Sequence, residues 1–203
     1  MTPFGALPYN SKRQNGLVAQ QCIVTLHSLP APQAAVKRGW YRMSKTQQLV
    51  LTAVLGSLIA VSTRFLGVYG ATGYYHLGDG MVFLSALILP PAWAFGAAGV
   101  GSGLANILGG LIQWAPWTFV IKGTAALLVS WIGRGRGTPR TIAALIGGSL
   151  VIIVGYALGT WFYYGWPAVA PETYGNLGQT GLGIVVALIL RAALKNHLKR
   201  IRH

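Results

Sequence analysis

Residues 134–164 read RGRGTPRTIAALIGGSLVIIVGYALGTWFYY: three arginines within seven positions, then an uncharged run from Thr141 to Tyr164. An α-helix rises about 1.5 Å per residue, so this run reaches about 36 Å and exceeds a hydrocarbon core about 30 Å thick. It predicts a membrane-spanning helix with basic residues at one end. Other apolar runs extend the reading in both directions: Gln48–Leu66, Met81–Leu89, Ala92–Leu111, Pro116–Ile132 and Leu177–Leu194. Pro90-Pro91 stops the second, because proline lacks an N–H and disfavours helix in the residue before it. Pro116 suits a helical first turn. The expected fold is all-α: a polytopic membrane protein with six transmembrane helices in a compact bundle. The second helix spans only if its upstream loop extends it.

Composition agrees with this reading. Of the 203 residues, 53% are hydrophobic and 9% charged, where a soluble domain carries about 25% charged residues. Asp79 and Glu172 are the only acidic residues, against a formal charge of +14. Nucleic-acid binders also carry such charge, but on an otherwise polar soluble face. Here all of the 16 Lys and Arg residues except Arg64 and Lys122 lie before the first helix, between the fourth and fifth, or in and after the last turn of the sixth. The opposite loops, 67–80, 111–115 and 165–174, hold none. Cytoplasmic loops concentrate Lys and Arg, so both termini are expected in the cytoplasm of a multi-pass cell-membrane protein, without a nucleic-acid partner. Residues 1–42 have neither the apolar core nor the cleavage site of a signal peptide, and read as a disordered extension or an upstream start. The transmembrane domain is taken as 43–203.

Enzymatic chemistry has little to work with. Gly-x-x-x-x-Gly-Lys-Ser/Thr and His-Glu-x-x-His are absent, and Gly133-Arg-Gly-Arg-Gly137 lacks strand–helix context and reads as a basic turn. A lone Cys22 forms no internal disulfide or thiolate metal site. No catalytic residue, cofactor or metal site is expected. Lys122 stands within an apolar run, and insertion of a lysine there costs at least about 2.5 kcal/mol, so it should face the bundle interior and find a partner. It is either a strut bonded to carbonyls or to Asp79, or a ligand contact. Thr118 lies one turn earlier on the same face. Asp79 either caps the second helix or meets ligand, and Arg64 either snorkels to the interface or meets ligand. Asn106, Asn176 and Gln179 add neutral hydrogen-bonding groups that either meet ligand or only join helices. Tyr74, Tyr75, Trp114, Trp117 and Trp161 form either an interfacial belt or, with His76 and Asp79 on the outward loops, a stacking wall for a flat ligand. Ala53-x-x-x-Ser57, Gly56-x-x-x-Ala60 and Gly99-x-x-x-Gly103 allow close helix approach, within the bundle or against another subunit.

Three stretches together, His76-Leu-Gly-Asp-Gly-Met-Val-Phe-Leu-Ser-Ala, Ala98-Gly-Val-Gly-Ser-Gly-Leu-Ala-Asn106-Ile-Leu-Gly-Gly and Trp114-Ala-Pro-Trp-Thr-Phe-Val-Ile-Lys122-Gly, carry a family likeness, supported by Asn176-Leu-Gly-Gln179-x-x-x-Gly183. The chain resembles the substrate-binding S component of energy-coupling factor (ECF) vitamin transporters over roughly 44–195, and is most similar to the hydroxymethylpyrimidine and pyridoxine branch. It departs from that branch at Asn106, where an aspartate is usual. The resemblance implies capture of a water-soluble vitamin or precursor from outside, with Tyr75, His76, Asp79, Asn106, Trp114, Thr118, Lys122, Asn176 and Gln179 as contacts. It further implies partnership with a transmembrane scaffold and two ATPases, docking through Ala53, Gly56, Ser57 and Ala60, and toppling in the membrane to deliver the ligand. Alternatives are an S component for riboflavin or pantothenate, a self-sufficient carrier, a membrane enzyme, or a purely structural assembly subunit.

Overall fold

Ser44 starts the first helix by a reciprocal cap: its Oγ accepts from the Gln47 N–H at 3.2 Å, and its own N–H donates to Gln47 Oε1 at 2.9 Å. The computed structural model describes residues 43–70 and 73–200, and the side chains of these except 68–70, 73–75 and 195–200. The expected extension over 1–42 lies outside the described residues. Helix α1 covers Lys45–Phe65, and a hairpin of β1 (Gly67–Gly70) and β2 (Gly73–His76) follows. Five further helices complete the order: α2 (Gly78–Ile88), α3 (Pro91–Leu108), α4 (Ala115–Gly133), α5 (Thr138–Tyr164) and α6 (Trp166–Arg200), with a 3₁₀ turn at Ile112–Trp114.

The chain is helical as expected, with two corrections. The segment 67–80, expected as a loop, holds an antiparallel hairpin with Gly67 opposite His76. Val68-Tyr69 and Tyr74-Tyr75 favour strand; Gly67 and Gly70 bracket the first pair, and Gly73 precedes the second. The sixth helix was expected from Leu177, but α6 begins at Trp166, and Gly165 alone, at φ +79°, turns the chain from α5 into it. Pro167 sits in the first turn, where its N–H has no helical acceptor, and Pro171 costs one bond in the second turn.

Four helical segments have the length and apolar composition of a membrane span: α1, the 3₁₀ turn with α4, α5, and α6 to Leu194. Large apolar side chains such as Val54, Val120, Leu150, Val154 and Ile189 point outward, as lipid contact requires. Helix α2 differs. Its 11 residues reach only about 16 Å, and all but Met81 are buried. It runs inside the bundle, against α1, α3, α4 and α6, with Val82, Phe83 and Ala86 at 0% exposure. Helices α1 and α3 meet almost backbone to backbone. A Cβ on Gly101 would lie 2.4 Å from the Gly56 carbonyl oxygen, so glycine is what permits the approach.

At the end of the bundle away from the hairpin, Arg134 of the expected basic turn has a structural partner. Buried Arg134 donates from Nε to the Ile88 carbonyl at 2.8 Å, and Ser130 Oγ donates to the Leu89 carbonyl at 2.7 Å. Arg191 donates to Thr141 Oγ1 at 2.6 Å and to the Arg136 carbonyl at 3.0 Å, tying α6 to the start of α5.

Candidate functional site

Residues four apart share a helix face. On α5 this places Tyr156, Thr160 and Tyr164 in one row, and on α6 it aligns Ala168, Glu172 and Asn176, with Gln179 one turn on. The two rows face each other at the hairpin end. Asn106 of α3 and Trp114 and Thr118 at the start of α4 close the other side, and His76 of β2 comes over the top. They enclose a cavity of about 570 Å³, within the range of about 300–1,000 Å³ typical of small-molecule sites.

One wall is aromatic. Trp114 stacks on Tyr164, with centroids 6.2 Å apart and planes at 27°, and lies 5.8 Å from Tyr156. Its indole N–H donates to the Tyr164 hydroxyl at 3.3 Å. The other groups are mostly neutral and joined in a chain: Asn106 Nδ2 donates to Thr118 Oγ1 at 2.7 Å, and Thr118 shares a hydrogen bond of 2.9 Å with the Tyr156 hydroxyl. Asn176 donates to Glu172 Oε1 at 2.8 Å and to its carbonyl at 3.0 Å.

Behind this wall lies a buried ion pair between Lys122 and Asp79, each 1% exposed. Asp79 also accepts from Gln179 Nε2 at 2.8 Å. Gln179 Oε1 in turn accepts the His76 N–H at 3.2 Å, so one amide links the hairpin, the cavity wall and the ion pair. Asp79 does not cap α2. The cap position is Leu77, without a side-chain bond, and the Gly78 N–H instead donates to His76 Nδ1 at 3.1 Å. Burial pulls the His76 pKa from 6.5 to about 4, which keeps the ring neutral and Nδ1 free to accept. The Tyr156 ring, centred 5.3 Å from Lys122 Nζ, stands beside the ammonium. A second groove of about 690 Å³, lined by Phe65, Leu66, Leu77 and Leu182, adjoins the site on the far side of His76 and Gln179.

Three comparisons bear on identity. The family model for the S component of ECF-type riboflavin transporters matches residues 43–196. The chain belongs to that family. An uncharacterized protein in the gap 3' region of Pyrococcus woesei is 33% identical over 127 residues, covering 62% of this chain and 85% of that protein. The solved S component of a bacterial ECF transporter superposes with a TM-score of 0.59 at 20% identity, covering 77% of this chain and 99% of that one, and so shares the fold. As an ECF S component the chain is a multi-pass membrane subunit for binding a small vitamin substrate. It works with an energising module, and its family is one of transporter subunits rather than enzymes.

Of the contact residues expected from sequence, this S component brings His76, Asn106, Trp114, Thr118, Asn176 and Gln179 to one cavity. Asp79 and Lys122 lie beside it, bonded to each other, and Tyr75 belongs to β2 with its side chain outside those described. On α1, Gly56 is spent on α3, while Ala53 and Ser57 are exposed. Arg64 donates to the Leu108 carbonyl at 3.4 Å and lies 5.6 Å from the centre of the Phe65 ring. Sequence reasoning missed Tyr156, Thr160, Tyr164 and Glu172. The i, i+4, i+8 row on α5 was available as a signal, and Glu172 was hidden by the assignment of 165–174 to a loop.

Proposed function

We propose that this S component captures a flat, uncharged heteroaromatic vitamin from outside the cell and that riboflavin fits it best. The carrying observation is the cavity, in which an aromatic wall of Trp114, Tyr156 and Tyr164 faces the amides of Asn106, Asn176 and Gln179. Rings stack on the first, and heterocycle edges and hydroxyls bond to the second. A volume of about 570 Å³ favours a three-ring isoalloxazine with its ribityl chain over a single ring. The family description supports the same choice. A second reading, pyridoxine or hydroxymethylpyrimidine, draws on the resemblance over 77–123. In either case Asp79 and Lys122 hold the wall from behind.

The reading includes six crossings with both termini in the cytoplasm. The hairpin extends α2 toward the outer surface, and the positive-inside rule supports the orientation. Delivery then requires a transmembrane scaffold and two ATPases, with the exposed Ala53 and Ser57 face of α1 for docking. Titration of purified protein with riboflavin, pyridoxine, hydroxymethylpyrimidine and pantothenate tests the proposal. Riboflavin fluorescence should be quenched on binding, and Trp114→Ala should weaken both quenching and affinity. Tight binding of pantothenate alone, or of none of the four, overturns it.

A further inference from the structure

The cavity has one formal charge on its wall. Among the described residues lining it, Glu172 is the only charged side chain; Lys122 lies beside it, neutralised by Asp79. His76 is uncharged near neutral pH. Among the described residues only Asn176 donates to the Glu172 side chain, through Oε1, which leaves the carboxylate able to accept from a ligand. Thr160 of α5 lines the same cavity; it is 3% exposed and its hydroxyl has no hydrogen-bond partner among the described residues. A buried hydroxyl left unpaired in the empty protein is costly, and native structures keep few of them.

We infer that Glu172 and Thr160 form a hydroxyl-reading end of the cavity that takes a neutral or cationic vitamin and rejects the phosphate ester of the same vitamin. This rests on the reading of the cavity as the vitamin site. Its chemistry is simple. A free ligand hydroxyl donates to the carboxylate. A phosphate in its place brings about −1.5 to −2 charges against the same carboxylate in a partly enclosed site, where the repulsion is weakly screened.

The test is a set of matched titrations in detergent: riboflavin against riboflavin 5′-phosphate, pyridoxine against pyridoxine 5′-phosphate, and hydroxymethylpyrimidine against its phosphate. For whichever parent binds, the ester should bind at least about tenfold more weakly. Glu172→Gln keeps the size and the acceptor for Asn176 but removes the charge, and should narrow that ratio severalfold. Glu172→Lys should reverse the preference, and unfolding curves on both variants establish that they are folded. An ester that binds as well as its parent overturns the inference, as does a ratio unchanged by both substitutions, which would mean size rather than charge excludes the ester. If no parent binds, the assignment of the cavity falls, and this inference with it.

Discussion

Removing one partner of the Lys122–Asp79 pair should damage the protein far more than removing both. Each side chain is 1% exposed, and Asp79 holds two donors, Lys122 and Gln179. Asp79→Asn conserves shape but leaves the Lys122 ammonium buried without a counter-charge. Breaking a buried pair from one side costs about 3–5 kcal/mol, because a desolvated charge stays behind. For a chain of this size that corresponds to a fall in unfolding midpoint of about 6 °C or more. Lys122→Met should lose a similar amount by stranding the carboxylate, although Gln179 still donates to it. The double variant Asp79→Leu with Lys122→Met removes both charges and should recover much of the loss, since apolar replacement of a buried pair is often neutral or better. A double-mutant cycle on purified protein, read by thermal unfolding with and without vitamin, measures the coupling. If Asp79→Asn leaves the unfolding midpoint unchanged while abolishing binding, the pair is a ligand contact and the supporting role argued here is wrong.

Three other outcomes follow from single features. Thr160→Val replaces an unpaired buried hydroxyl with a methyl of similar size and should stabilise the empty protein by about 1 kcal/mol. It should also weaken vitamin binding, and equal affinity in both proteins would remove Thr160 from the site. His76 has a depressed pKa in the folded state, so its stabilisation is full above the unfolded value of 6.5 and is lost as pH falls toward about 4. The unfolding midpoint should drop across that window, and His76→Gln should flatten this part of the profile. Gly101→Ala places a methyl 2.4 Å from the Gly56 carbonyl oxygen and forces α1 from α3, with an expected loss of about 1–3 kcal/mol by thermal unfolding.

The helical, apolar character of the fold and its four span-length helices were legible because membrane insertion writes itself into long uncharged runs beside clustered arginines, as in 134–164. What escaped was local. Residues 165–174 were expected as a loop, yet the start of a helix tolerates prolines that its interior does not, so 11 residues of α6, Glu172 among them, were missed. The hairpin escaped because two short pairs of strand-forming residues carry little signal without their pairing partner. Part of the site was readable as isolated polar residues in apolar runs: Asn106, Thr118, Asn176 and Gln179. Another part, Tyr156, Thr160 and Tyr164, required choosing which face of a predominantly apolar α5 looks inward. That choice is made by packing against α4, where Trp117 donates to the Gly155 carbonyl at 2.9 Å.

Helix α2 explains why the buried charges Asp79, Lys122 and Arg134 lie inside so apolar a protein. It is too short to bring its own ends to water on both sides, and its terminal backbone groups must be satisfied inside the bundle. At its far end, Arg134, just past α4, and Ser130 of α4 take the carbonyls of Ile88 and Leu89. At the hairpin end, His76 takes the Gly78 N–H, and Lys122 of the same α4 takes Asp79. Helix α4 and its C-cap residue therefore hold α2 at both ends, with a charged side chain of opposite purpose at each. Arg134 satisfies backbone that cannot reach solvent, whereas Lys122 fixes Asp79 and, through Gln179, the hairpin over the cavity. The lysine that looked out of place in its apolar run is the point where the spine of the bundle is fastened to the roof of the site.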